Sequence, residues 1–190
     1  MRILMSLLFL LFIGYHSYKL IVLLKKMNQG VIMPLTDEDM ASIKNSERRE
    51  IKPPTLSTQK WGIILYAFTL VLATTLFILA IFHDEFNFYL YPFFFIPLLH
   101  SNDLFQLFSI TNKGILSGNQ FIRWEKIKSF EFVPIDVNSR HYGFSSEIND
   151  KKELKIKSRF RTISCIVMTE EMEQNLQKVL EENVVRSSYS

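Results

Sequence analysis

The sequence predicts a helical membrane region followed by a small α+β domain, and three observations carry that expectation. Two runs of about 22 residues, ILMSLLFLLFIGYHSYKLIVLL (3–24) and WGIILYAFTLVLATTLFILAIF (61–82), hold Lys19 as their one Lys or Arg. At 1.5 Å rise per residue each covers roughly 33 Å, enough to cross a hydrocarbon core. Beyond Ser109 charge becomes ordinary, and apolar residues fall into short alternating runs between Gly/Asn turns, the pattern of strands. The chain closes on TEEMEQNLQKVLEENV, where Met172, Leu176, Val179, Leu180 and Val184 form a helical stripe.

The first run is interrupted by Gly14, His16 and Lys19, and Lys19 is close enough to its end to snorkel toward Lys25 and Lys26. Arg2 and the apolar stretch to Ile13 also fit a signal peptide, but no small-x-small cleavage site follows, which favours a retained span. The second run is uncharged and starts at Trp61, an interfacial residue type. Its threonines, Thr69, Thr74 and Thr75, are expected to return their hydroxyls to the helix backbone. A third, aromatic run, FNFYLYPFFFIPLLHSNDLFQLF, predicts a crossing over 86–104, kinked by Pro92 and Pro97. His100 and Asp103 then fall in its last turn, where a helix end meeting water explains them better than an ion site, because few other ionisable groups occupy the spans.

Seven Lys and Arg lie between Lys25 and Lys60, against none in the His83–Glu85 break. The positive-inside preference therefore predicts a multi-pass protein of the cytoplasmic membrane, its N-terminus outside and both the 25–60 loop and the C-terminal domain in the cytoplasm. Within that loop Thr36 and Asp39 have capping-box spacing and predict a short helix from Asp37 to Arg48, ended before Pro53-Pro54. A net charge of +3 is too small to point to nucleic acid. The single cysteine, Cys165, excludes an internal disulfide, and its alternation with Ile163 and Val167 predicts a buried thiol.

The division is thus a transmembrane region over 1–108 and a domain over 109–190. In the domain, Asn112-Lys113-Gly114 and Ser117-Gly118-Asn119 read as hairpin turns between SIT, ILS and QFIRW. KIKSFEFV, RHYGFSS, ELKIK and TISCIVM read as further strands. Six or seven short strands and one amphipathic helix describe a half-open barrel or bent sandwich plugged by that helix. The string ITNKGI, then IRWEKIKSFEF, ELKIK and a terminal helix resembles the PH-like domains carried behind transmembrane helices in small uncharacterised bacterial membrane proteins. The resemblance spans roughly Phe108 to Val185 and rests on Thr111, Gly114, Trp124 and Ile127. It implies a PH-like fold and a cytoplasmic-membrane location, and brings no catalytic residues.

No Gly-rich phosphate loop, zinc-spaced histidine pair or G-x-S-x-G appears, and His16, His83, His100 and His141 are scattered, with His141 expected at the surface or rim. The expectation is therefore a non-enzymatic module without cofactor or metal. Its candidate contact residues are Lys151, Lys152, Lys155, Lys157, Arg159 and Arg161, placed to meet anionic lipid at the inner membrane surface, a protein partner, or a second copy of the chain. A solvated sheet face is the plain alternative, given nearby Glu147, Asp150 and Glu153. A second functional expectation is self-protection against membrane-active peptides, in which the aromatic spans themselves act.

Overall fold

The computed structural model describes residues 2–27, 29–45, 49–82, 96, 98–139, 141–143 and 145–188. Helix α1 spans Arg2–Met27 and α3 spans Lys60–Phe82, and both are long and apolar enough to cross a membrane. The expected crossing at 86–104 lies mostly outside the described residues; within it, the segment Ser101–Leu104 is a 3-10 turn. His100 is exposed just before that turn.

The two long helices pair through aromatic contacts. Phe9 stacks on Phe77 with ring centroids 4.3 Å apart. His16 Nδ1 lies 2.9 Å from the Tyr66 hydroxyl, which also donates to the His16 carbonyl at 3.3 Å. A proton on Nδ1 satisfies both bonds, so two polar groups that would be costly in an apolar setting are mutually paired. Thr69 and Thr74 donate to the carbonyls of Leu65 and Leu70, both at 2.8 Å, as the sequence leads one to expect. Away from their shared seam, Leu7, Leu11, Phe68 and Val71 stay exposed, which suits helices surrounded by lipid.

The strands of the described chain form two antiparallel four-stranded sheets. The strands are β1 (Val31–Met33), β2 (Ile43–Asn45), β3 (Phe108–Thr111), β4 (Gly114–Ser117), β5 (Gln120–Arg123), β6 (Ile127–Pro134), β7 (Lys152–Ser158) and β8 (Thr162–Val167). One sheet has the order β1-β3-β4-β5 and the other β2-β8-β7-β6. The segment between the long helices, expected to hold a helix and a linker, thus lends an edge strand to each sheet. Val31 pairs with Thr111, and Ile43, Lys44 and Asn45 pair with Val167, Ile166 and Cys165.

The helix expected over Asp37 to Arg48 is shorter, because α2 covers only Asp37–Ala41. Its capping box forms as the spacing predicts: the Asp39 N–H donates to Thr36 Oγ1 and the Thr36 N–H to Asp39 Oδ2, both at 3.1 Å. Ile43 then leaves the helical path to become fully buried in the sandwich. That tertiary gain overrides the weak local preference of a single turn.

Gly114 and Trp124 explain why the hairpins close where they do. Gly114 has φ +150°, and a Cβ there would lie 2.1 Å from the Ile122 carbonyl oxygen, so only glycine fits. Thr111 Oγ1 donates to the Gly114 carbonyl at 2.7 Å, and Trp124 Nε1 donates to the Thr111 carbonyl at 3.1 Å. The indole is thereby both buried and satisfied.

The final helix, α4 (Glu170–Ser188), plugs the sandwich with Met172, Leu176 and Leu180, which join Ile115, Ile122, Leu154, Ile156 and Cys165 in the main core. A second apolar cluster binds this body to the long helices, with Leu107, Phe105 and Leu116 packing against Leu23, Met27 and Tyr66. Gly62 permits the contact, since a Cβ there would meet the Leu104 carbonyl oxygen at 2.7 Å.

The strand expected at RHYGFSS is not formed; described residues from His141 to Lys151 make turns. Short polar side chains capture the backbone there. Asp136 Oδ1 accepts from the Asn138 N–H at 3.0 Å, Ser139 Oγ from His141 at 3.3 Å, and Asn149 Oδ1 from Gly143 at 2.9 Å.

Candidate functional site

The six cations singled out in the sequence do not form one patch. Lys152 Nζ pairs with Glu173 at 2.7 Å, Lys155 with Glu153 at 3.4 Å and Lys157 with Glu131 at 2.8 Å. Each acid cancels much of its lysine's field, so Lys155 and Lys157 make a salt-bridged sheet face, while Lys152, on the alternate side of β7, is tied to Glu173 of the C-terminal helix. Lys151 is half-buried in the turn before β7. Arg159 and Arg161 face elsewhere: they occupy the β7–β8 turn, which Ser158 closes by donating from its N–H and its hydroxyl to the Arg161 carbonyl at 2.8 and 3.0 Å.

That turn reaches α1. Arg161 Nη2 donates to the Tyr15 hydroxyl at 2.7 Å, joining residues 146 positions apart. Between α1 and the domain runs a groove of about 860 Å³. Its α1 wall carries Lys19 and Lys26, its facing wall Arg123 of β5, Lys126 of the 3-10 turn Trp124–Lys126 and Lys128 of β6, and its end Arg159 and Arg161. Glu125 is the one acid among the lining residues, against these seven cations. The aliphatic and aromatic framing keeps the charges in place: Lys26 Nζ lies 4.7 Å from the centre of the Phe121 ring and Lys19 Nζ 5.6 Å from that of Tyr15. Phe160, 84% exposed at the tip of the turn, projects beside them.

Beside the groove lies a smaller, more open hollow of about 320 Å³, sharing Tyr15, Lys19 and Arg161 and adding His16, Asn102 and Gln120. Asn102 Oδ1 and Gln120 Oε1 are themselves sealed from solvent and accept no hydrogen bond from the described residues. Sequence reasoning had no signal for this site, since its walls come from α1, the 3-10 turn at Ser101–Leu104, β5 and the β7–β8 turn.

A third cavity, of about 420 Å³, lies beside Glu153, Lys155 and Ser164. Here His141 departs from expectation: it is buried, with Nε2 3.4 Å from Glu153 Oε1. The buried carboxylate thus has His141 and Lys155 as partners, the arrangement that lets a charge persist in an interior. Cys165 is buried as its alternation predicts, and burial, with the nearby Glu153 charge, pushes its thiol well above the usual range, which makes it unreactive. Among the described residues no three His, Cys, Asp or Glu side chains converge to hold a metal ion.

The fold and groove together define a two-sheet antiparallel domain with a C-terminal helix, docked on two long apolar helices. Residues 106–185 match the model of a domain of unknown function, DUF5673. The match takes in β3 to β8 and most of α4, and leaves out β1 and β2. Comparison with curated proteins and with solved structures yields no match.

Proposed function

We propose that this protein is a non-enzymatic, membrane-anchored module whose PH-like domain binds the headgroup of an anionic phospholipid at the cytoplasmic membrane surface. The observation that carries the reading is the groove's charge, seven cations to one acid, at the level where apolar helix gives way to domain. Counting about 20 residues back from Phe82 sets the near boundary of a roughly 30 Å hydrocarbon layer close to Gly62. The His16–Tyr66 contact carries that level across to α1 near Lys19. Tyr15, Tyr18 and Phe160 then lie in the interfacial zone that aromatic rings favour, and the groove's lysines and arginines lie among phosphates. Each cation near an anionic surface contributes about 1 kcal/mol.

The shared sheets support the topology. β1 and β2 precede α3, yet they pair with strands that follow it. A chain that leaves the domain side along α3 and rejoins it at Ser101 must cross back between them, which favours the third crossing expected at 86–104. The basic 25–60 loop then shares the cytoplasmic side with the domain.

The test is binding of the full chain to nanodiscs of phosphatidylcholine with or without an anionic lipid. Replacing Lys126, Lys128 and Arg159 together by Gln should weaken anionic binding by roughly 100-fold, from three cations at about 1 kcal/mol each. Replacing Lys152, Lys155 and Lys157, which already face acids, should change it less than about threefold. Equal loss from both sets would overturn the groove as the binding site.

A further inference from the structure

We propose that the β7–β8 turn is a wedge that enters the bilayer beside α1, with Phe160 among the upper acyl carbons and Arg159 and Arg161 reaching back to the phosphates. This rests on the reading of α1 and α3 as spans, and it goes beyond headgroup binding in the groove, because the partner of the turn is hydrocarbon and not lipid charge. A lone exposed apolar side chain is ordinary on a surface that faces water. Phe160, 84% exposed, is not on such a surface, and the level of its turn decides what meets it. Arg161 Nη2 donates to the Tyr15 hydroxyl at 2.7 Å, and the hydrocarbon boundary falls on α1 near Lys19. Tyr15 precedes Lys19 by four residues, so at 1.5 Å rise it lies about 6 Å on the hydrocarbon side. The turn that holds Tyr15 is thereby set at the boundary of headgroups and acyl chains, within the roughly 5–10 Å depth at which amphipathic elements seat their apolar faces.

The surroundings fit the same occupant. Leu8, Leu11, Tyr15 and Tyr18 are all exposed and, at spacings of three and four, share one face of α1. Phe160 lines the groove rim together with Tyr15 and Tyr18, so it continues that lipid-facing strip onto the domain. The Arg159 guanidinium carbon lies 5.1 Å from the centre of the Phe160 ring. Long arginine stems let the charges stay at phosphate level while the ring between them goes deeper. The tip is also stiff, because the Ser158 N–H and hydroxyl both donate to the Arg161 carbonyl, at 2.8 and 3.0 Å. A pre-ordered tip loses little conformational freedom on entering lipid.

The test places tryptophan at the tip and a quencher in the lipid. Full-length chains are reconstituted in nanodiscs of phosphatidylcholine alone, its acyl chains brominated either near the headgroup or near the methyl end. In Trp61→Phe the buried Trp124 is the remaining tryptophan and sets the reference. Adding Phe160→Trp should give emission that falls beyond that reference, more with shallow bromine than with deep, and that resists acrylamide in the water. Tryptophan itself favours interfaces, so Val137→Trp in the same background is the control. Val137 is exposed beyond the Pro134–Lys152 pair, at the end of β6 and β7 away from the turn, and should be quenched by acrylamide and not by bromine. Both substituted side chains are exposed, and thermal unfolding like that of the parent confirms the fold. The natural chain should lose emission to shallow bromine through Trp61, at the start of α3. Quenching there without quenching at position 160 would overturn the wedge and leave the spans standing, and quenching at neither would overturn both. Bromine quenching at positions 137 and 160 alike would overturn the wedge as a specific contact. Protection of position 160 from both quenchers would show a second copy or another protein over the tip and would overturn lipid as its occupant. No anionic lipid is present, so this result and the groove substitutions fail or succeed separately.

Discussion

Ile43→Ala tests whether the segment between α1 and α3 belongs to the domain that follows α3. Ile43 is fully buried, pairs with Val167 across the β2–β8 ladder, and packs in the core with Ile51, Leu154 and Met172. Truncating such a side chain costs about 2–5 kcal/mol. An edge strand of three residues can relax into part of the space, so about 3 kcal/mol is the working figure. For a body of roughly 100 residues each kcal/mol lowers Tm by about 4–8 °C, giving a fall on the order of 12–24 °C. The chain has two tryptophans, so Trp61→Phe leaves Trp124, inside the core, as the reporter of sandwich unfolding in detergent. Leu56→Ala, at an exposed position, is the control and should shift Tm little. If Ile43→Ala melts within about 2 °C of its parent, β2 is not part of the domain, and the argument for a shared side of the membrane falls with it.

Gly114→Ala should abolish the folded domain, since it combines an unfavourable φ with a backbone collision at Ile122; soluble yield and Trp124 emission report it, and a native-like spectrum would refute the hairpin geometry. Burial pushes the Asp39 carboxyl upward, but donation from the Thr36 and Leu35 N–H groups and the Thr36 hydroxyl outweighs it and holds the group below its ordinary value of 3.8. The sign follows: Asp39 stabilises the fold above that value, and the contribution is lost as pH falls below it. Thr36→Ala should therefore cost about 1 kcal/mol near neutral pH and less at about pH 3, measured by denaturant titration; an undiminished cost in acid would contradict the cap. Asp84→Cys in a Cys165→Ser background should react with an impermeant maleimide in intact cells, and reaction only after permeabilisation would reverse the proposed orientation.

The parts of the fold legible in the sequence are those whose signal is local. α3 announces itself by an uncharged run, α4 by the Met172, Leu176, Leu180 stripe, and the β3–β4 and β4–β5 turns by Asn112-Lys113-Gly114 and Gly118-Asn119. β1 and β2 were not legible. Three residues hold too few alternations to set a period, and their partners, Thr111 and Val167, lie 80 or more positions away. RHYGFSS misleads in the other direction: its alternation suggests a strand, but flanking Asp136, Ser139 and Asn149 bind the backbone into turns.

The site followed the same logic. Spacing showed that Lys155 and Lys157 share a face, but not that Glu131 would arrive from β6 to pair Lys157. Arg159 and Arg161 were singled out in sequence, but only folding brings Arg161 to Tyr15 on α1.

The central claim is that anionic lipid meets this protein in the groove between α1 and the domain, and photochemical crosslinking tests it most directly. The full chain, reconstituted with a photoactivatable anionic phospholipid, is irradiated and digested, and the adducts are located by mass spectrometry. The account predicts adducts concentrated in Tyr15–Lys26, Asn119–Lys128 and Ser158–Arg161, and absent when phosphatidylcholine carries the same photoactivatable group. Adducts confined to Lys151–Lys157, or distributed alike for the two lipids, would contradict it.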